Sequence, residues 1–235
     1  MKHKSLIKPL IIKHEDFFVL RDDLLPGGTK RRVLMEILSE IKQQEIVYPS
    51  HAYGYGGLAL GLAGIDTGKK IHLFFDRTKT DTDIFLQTIK LPNVKFTILE
   101  DAKKQLDLTP FAKKYATEHQ AHFMPIGFNF PEFSEGLVKL AQSLQILPKE
   151  VWVLGGSGTL SRSLQKAWPL AQVNTVSLGF PQGDMGRSKV FNVLEKTEEV
   201  ANLPPPYPSS LYYDAKIWSF AKKYGSKGSF IWNVA

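Results

Sequence analysis

Apolar positions along this 235-residue chain fall into short continuous runs that alternate with stretches of helical spacing. Residues 6–12 and 17–19 read as short strands. Over residues 29–44, Val33, Leu34, Ile37, Leu38 and Ile41 recur every three or four positions, which predicts a helix after a Pro26-Gly27-Gly28 turn. Strands predicted at 46–48, 71–75, 94–99, 122–124, 151–154 and 174–178 then alternate with helices at 55–65, 82–89, 109–118, 134–144 and 161–167. Pro110 is compatible with the first turn of its helix. After residue 178 the pattern loosens. The proline-rich stretch at 203–208 requires extended chain, followed by a helix near 214–224 and a strand at 230–233. Such alternation predicts an α/β protein with parallel sheets covered by helices and a small second lobe. The expected division is a larger domain from 1–46 and 131–235 and a smaller lobe at 47–130, with no internal repeat.

Composition narrows the chemistry. A 43% hydrophobic chain with 18 glycines and 14 prolines supports an ordered protein with a substantial core. The absence of cysteine excludes disulfides, thiolate catalysis and Cys-based zinc or iron–sulfur sites. No secretory signal or membrane-length apolar run is read, so a cytoplasmic protein without a membrane partner is the expectation. The +7 formal charge favours polyanions, yet it is scattered: Lys2, Lys4, Lys8 and Lys13 near one end, then the pairs Lys103–Lys104 and Lys113–Lys114. No finger, zipper or basic recognition helix accompanies it. Ordinary surface charge and a nucleic-acid or phosphorylated partner are the two readings.

Candidate chemistry concentrates at two glycine turns. In the first, Gly27 and Gly28 permit a tight approach, Thr29 is expected to cap the helix, and Lys30, Arg31 and Arg32 crowd its start. Cations there oppose the helix dipole, so compensation is expected from Asp22 and Asp23 or from a bound anion. A lysine in a protected cavity can lose its proton and add to an aldehyde. In the second turn, a strand delivers the chain to Gly155, Gly156, Ser157, Gly158 and Thr159, which suit a phosphate: small residues let amides converge, and two hydroxyls add donors. The loop is neither a Walker sequence nor a dinucleotide fingerprint, and a plain capped turn is its alternative. Between them, the loop from Tyr48 to Gly57 offers Ser50 and His51 for a cofactor or carboxylate, and Tyr53 or Tyr55 for stacking or proton donation. Loop hydrogen bonding and packing explain those four residues equally well. His51, His72, His119 and His122 lack metal-ligand spacing, so no metal is expected, and His72 reads as structural. No serine-hydrolase elbow is present.

These segments resemble the fold-type II pyridoxal phosphate enzymes, tryptophan synthase beta-like, in the branch of aminocyclopropane-carboxylate deaminase and D-cysteine desulfhydrase. That branch carries an Arg/Lys-Asp-Asp-Leu segment leading to Gly-Gly-Asn-Lys-x-Arg; here the counterparts are Arg21-Asp22-Asp23-Leu24 and Gly27-Gly28-Thr29-Lys30-Arg31-Arg32. The resemblance implies pyridoxal 5'-phosphate as cofactor, Lys30 as Schiff-base lysine and proton shuttle, and the loop at 155–159 as phosphate seat. It aligns Ser50, His51, Ala52, Tyr53 and Gly54 with the family's substrate-carboxylate loop, from which they depart. Tyr212 and the residues to Lys216 match an entrance-lining segment, and Asn233 stands where a serine or threonine meets the pyridine nitrogen. Catalytic roles thus fall to Lys30, Tyr53 and Tyr212, and substrate contacts to Ser50, His51 and Tyr55. The implied activity is a lyase or deaminase acting on a small amino acid, in a homodimer shortened after the phosphate loop. Two alternatives remain: a substrate carried on an amino-modified nucleotide or DNA base, and a cofactor-binding protein without turnover.

Overall fold

A computed structural model describes residues 7–76, 82–102, 105–179, 183–193, 195–196 and 199–235. Lys2, Lys4, Lys103, Lys104 and the first residue of the 6–12 strand lie outside the described residues. In chain order the elements begin with a hairpin of β1 (Ile11–His14) and β2 (Phe17–Arg21), then α1 (Gly28–Glu40) and β3 (Glu45–Ser50). There follow α2 (Tyr55–Thr67), β4 (Lys70–Asp76), α3 (Asp83–Ile89) and β5 (Val94–Leu99). Next come α4 (Thr109–Glu118), β6 (His122–Phe123), α5 (Pro131–Ser143) and β7 (Glu150–Gly155). The chain closes with α6 (Thr159–Ala167), β8 (Gln172–Ser177), β9 (Lys189–Asn192), α7 (Ile217–Tyr224) and β10 (Phe230–Asn233).

Two compact units result: Pro26–Phe130, and Ile7–Leu25 with Pro131–Ala235. The first is built on a four-stranded sheet in the order β5-β4-β3-β6, parallel throughout. Val47 and Phe74 on one face pack with Leu108, Ala112 and Ala116 into a core under α4. α2 is apolar nearly all round, as a helix packed on several sides must be. It stops at Gly68, whose left-handed φ of 72° lets its N–H reach back to the carbonyls of Gly64 and Ile65. Thr82 caps α3 by accepting from the Phe85 N–H at 3.1 Å.

The second unit carries a six-stranded sheet in the order β1-β2-β10-β7-β8-β9, parallel except for the β1–β2 hairpin. Phe17, Val19, Trp152, Val176 and Ile231 form one face of it, covered by Tyr207, Ile217, Trp218 and Ala221. The expected α/β architecture of parallel sheets flanked by helices is therefore present.

Several particulars differ from expectation. Residues 26–46, assigned from sequence to the larger domain, group with Pro26–Phe130, because α1 packs along α2. The helix predicted to run to residue 44 ends at Glu40, where Ile41 turns extended. Thr29 does not cap it: Gly27, at φ 84°, occupies that position and makes no side-chain cap bond. The helix near 214–224 is a 3-10 turn, Asp214–Lys216, running into α7. Strand β9 was not predicted; Lys189-Val-Phe-Asn192 holds only two apolar residues, too few for a periodic signal.

Candidate functional site

In the four-stranded unit the candidate residues sit where strands end and helices begin. Lys30 is the third residue of α1, half-buried, just beyond Gly27 and Gly28. A Cβ on Gly27 would lie 3.2 Å from the Ala59 Cα of α2, so this glycine serves helix packing as well as the turn. Beside it, Arg31 is held bidentately by Asp66 from the last turn of α2, at 2.8 and 3.0 Å, and also donates to the Pro26 carbonyl at 3.0 Å. Asp66 thus compensates Arg31, where Asp22 and Asp23 or a bound anion had been expected to offset the three cations. The acidic Asp23 instead pairs with Arg21 in the other unit, at 2.8 Å on both oxygens.

Ser50 ends β3 at the carboxyl edge of the sheet and is 1% exposed. Gly57 keeps room for it, since a Cβ there would stand 2.6 Å from the Ser50 Oγ. The chain then turns tightly, with the Gly54 N–H donating to the His51 carbonyl at 3.0 Å, before α2 opens at Tyr55. His51 Nδ1 accepts from the Tyr53 N–H at 3.2 Å, which assigns the proton of a neutral imidazole to Nε2. The His51 and Tyr53 rings lie 5.5 Å apart. Thr82 Oγ1 donates to the Ala52 carbonyl at 2.5 Å and steadies the turn from outside. Ser50, His51, Tyr53 and Tyr55 therefore share one braced loop at the amino end of a helix.

His72 lies elsewhere on this unit, in β4, 5% exposed, with Nε2 2.9 Å from Thr97 Oγ1. Burial foremost, then the Lys95 charge, lowers its pKa to about 4. Its expected structural role fits a neutral imidazole among aromatic rings, Phe74 at 4.5 Å and Tyr115 at 4.3 Å. Among the described residues, no group of three or more His, Asp or Glu is arranged to hold a metal ion.

In the six-stranded unit the loop of Gly155, Gly156, Ser157, Gly158 and Thr159 follows β7 at the carboxyl edge and leads into α6. Open parallel sheets bind ligands at this edge. No acidic residue stands in the first turn of α6, its cap position is Gly158, and the Thr159 N–H lies 3.5 Å from Ser157 Oγ; a helix start of this kind suits an anion. Ser157 Oγ and Thr159 Oγ1 are 3.0 Å apart, forming one hydroxyl pair at the helix mouth. The glycines have separate reasons. A Cβ on Gly158, at φ 77°, would overlap the Asp184 carbonyl, and one on Gly155 would overlap the Thr175 methyl. A Cβ on Gly156 would meet nothing within 4 Å. Open space faces that position alone among the three, the room a phosphate oxygen would take.

Asn233 ends β10, the neighbour of β7, and is 1% exposed. Its amide hydrogens go to Asp23 Oδ1 at 2.9 Å and the Pro208 carbonyl at 3.1 Å, and its Oδ1 accepts from Ser209 Oγ at 2.6 Å. A contact to a ring nitrogen would have to use the second lone pair of Oδ1, because both donors are committed. The Arg21 guanidinium lies 5.7 Å from the Tyr207 ring centre. Burial foremost, then Asp214, keeps the Tyr207 phenol protonated well above its ordinary range. Tyr212 is half-buried in the turn before the Asp214–Lys216 helix, where Lys216, 1% exposed, donates to the Lys196 carbonyl at 2.8 Å.

The two units thus divide the candidates: Lys30, Ser50, His51, Tyr53 and Tyr55 in one, the phosphate-type loop, Tyr212 and Asn233 in the other. Sequence reading passed over the segment at 183–188, which lies directly on the loop. Its glycine pair, Gly183 and Gly186, was the available signal. Among the described residues no helix is long and apolar enough to cross a membrane.

No family model matches the chain, and no curated protein matches it. Solved structures do share its fold. An ACC deaminase homologue superposes with a TM-score of 0.80 at 14% identity, covering 97% of this chain and 89% of that one. The processed form of threonine deaminase isoform 2 from Solanum lycopersicum gives 0.74 at 11%, covering 98% and 79%. Serine racemase from Dictyostelium discoideum gives 0.69 at 14%, covering 98% and 92%. Identities this low establish a common fold.

Proposed function

We propose that this chain is a pyridoxal phosphate-dependent enzyme that acts on a small amino acid in a lyase or deaminase reaction. The observation that carries the reading is the open space at Gly156, beside a glycine-capped helix start without acids, in a fold shared with a threonine deaminase and a serine racemase. The donor set suits the cofactor: loop amides and the hydroxyls of Ser157 and Thr159 for the phosphate, and the Lys30 amine for the aldehyde. When bound, the cofactor serves as an electron sink for the substrate's α-carbon.

The remaining work falls to side chains. Lys30 Nζ would hold the cofactor's aldehyde carbon, and its amine would take or return a proton at the substrate carbon. Ser50 Oγ and His51 Nε2–H, on their braced loop, donate to the substrate carboxylate. Tyr53 and Tyr55 would orient the substrate through the same loop, and Tyr212 would line the substrate entrance. Asn233 would accept from a protonated ring nitrogen through the remaining lone pair of Oδ1.

The +7 charge favours a second reading, in which the amino group is carried on a nucleotide or a DNA base. Titration of the cofactor-loaded chain with amino acids and amino nucleotides, followed by absorbance, tests both. A spectral change with small amino acids that is indifferent to salt supports the first reading. A change confined to nucleic acid, and weakening steeply with salt, supports the second. No change with either leaves a cofactor-binding protein without turnover.

A further inference from the structure

Helix α6 buries hydroxyls and an amide where an apolar face would be expected: Ser161 and Ser163 are 0% exposed and Gln165 is 9% exposed. Buried polar groups are costly unless every bond is met, and a met network fixes one geometry. Ser163 Oγ donates within the helix, to the Thr159 carbonyl at 2.8 Å, whereas Ser161 and Gln165 bond the segment at 183–188. Gln165 Nε2 donates to the Met185 carbonyl at 2.7 Å and to Ser161 Oγ at 3.1 Å, while its Oε1 accepts from the Arg187 N–H at 2.7 Å. Ser161 Oγ pairs with Thr175 Oγ1 at 2.8 Å, and Thr175 in turn bonds Ser188 Oγ at 2.9 Å. Arg162 donates to the Asp184 carbonyl and, at 3.3 Å, to that of Ser157. The Arg187 guanidinium reaches the Pro169 carbonyl at 2.6 Å and that of Ala171 at 3.1 Å, beyond the far end of α6.

The segment so fastened presses on the glycine loop. The Gly183 N–H donates to the Gly156 carbonyl at 3.3 Å. A Cβ on Gly183 would overlap the Ser157 carbonyl, as one on Gly158 would overlap the Asp184 carbonyl. Loop and segment therefore cannot shift independently. We propose that Gln165 is a positioning residue for the phosphate seat: it pins the 183–186 segment on Ser157 and Gly158 and thereby sets the direction of the loop amides. This rests on the cofactor reading above, and concerns the phosphate end only.

The test compares pyridoxal phosphate with pyridoxal, which lacks the phosphate, by equilibrium binding to the full chain and its variants. Gln165→Met, which removes all three side-chain bonds at similar volume, should weaken pyridoxal phosphate about tenfold and leave pyridoxal unchanged. Gly183→Ala reaches the same contact from the segment's side, should give the same selective loss, and decides the matter if Gln165→Met does not fold. A general structural role would lower both affinities together. That result, or an unchanged ratio in variants of a chain that binds the cofactor, overturns the positioning role alone. Failure of the unsubstituted chain to bind pyridoxal phosphate overturns the cofactor reading and this inference with it.

Discussion

The two glycine turns, alike in sequence, are occupied differently. At Gly27 the protein fills its own space: Ala59 and Leu62 of α2 crowd this glycine, and Asp66 neutralises Arg31. At 155–158 the protein fills the space beside Gly155 and Gly158 and leaves Gly156 open. A glycine-rich turn therefore has two separable causes, approach by the chain itself and approach by a ligand. Only the residue-by-residue environment distinguishes them.

Substitutions can break this contrast. The largest effect is expected at Lys30: Lys30→Ala should abolish covalent cofactor attachment and reduce any turnover by about a thousandfold, roughly 4 kcal/mol. Steady-state kinetics with absorbance of the loaded chain measure both, and retained attachment would refute the assignment. Stability should respond nearly as strongly at Gly158, where alanine combines a left-handed φ with overlap on a backbone carbonyl. A loss of about 4 kcal/mol in urea unfolding is expected.

Acid should weaken the unit carrying the first turn through His72. Its folded pKa of about 4 lies below the unfolded value of 6.5, so the unfolded chain binds the proton first. Stability from this residue is present above pH 6.5 and falls as pH drops to 4, by about 3 kcal/mol. Unfolding across that range with His72→Phe paired with Thr97→Val should show a flatter pH dependence; an unchanged slope would contradict the buried neutral imidazole. Arg31→Ala should cost about 2 kcal/mol by stranding a mostly buried Asp66, and a double-mutant cycle with Asp66→Ala should show coupling. The smallest stability effect sharpens the contrast most. Gly156→Ala, with ordinary φ and open space, should stay within about 0.5 kcal/mol of the parent while weakening pyridoxal phosphate binding. Equal loss of stability at Gly156 and Gly158 would erase the distinction between the two causes.

Much of the architecture was legible because apolar period carries it. The strand at Val94–Leu99, the helix at Thr109–Glu118 and the strand at Phe230–Asn233 have the bounds that spacing predicted. Features set by long-range contact were not legible. The partner of Arg31 lies 35 residues away on α2, whereas the sequence drew attention to the nearby Asp22 and Asp23. Burial of α6 on Ser161 and Gln165 defeats a hydrophobic pattern, since those positions look solvated until Met185 and Arg187 meet them. Asn233 was singled out because, by the resemblance, it stands where a serine or threonine meets the ring nitrogen; its bonds to Asp23, Pro208 and Ser209 join segments that no local pattern connects.

Borohydride reduction of the chain loaded with pyridoxal phosphate, followed by peptide mapping, tests the central claim most directly. The account predicts a pyridoxyl group on Lys30 at full occupancy, lost in Lys30→Ala. A fully reduced, fully occupied chain carrying the group on another lysine, with Lys30 unmodified, would contradict it.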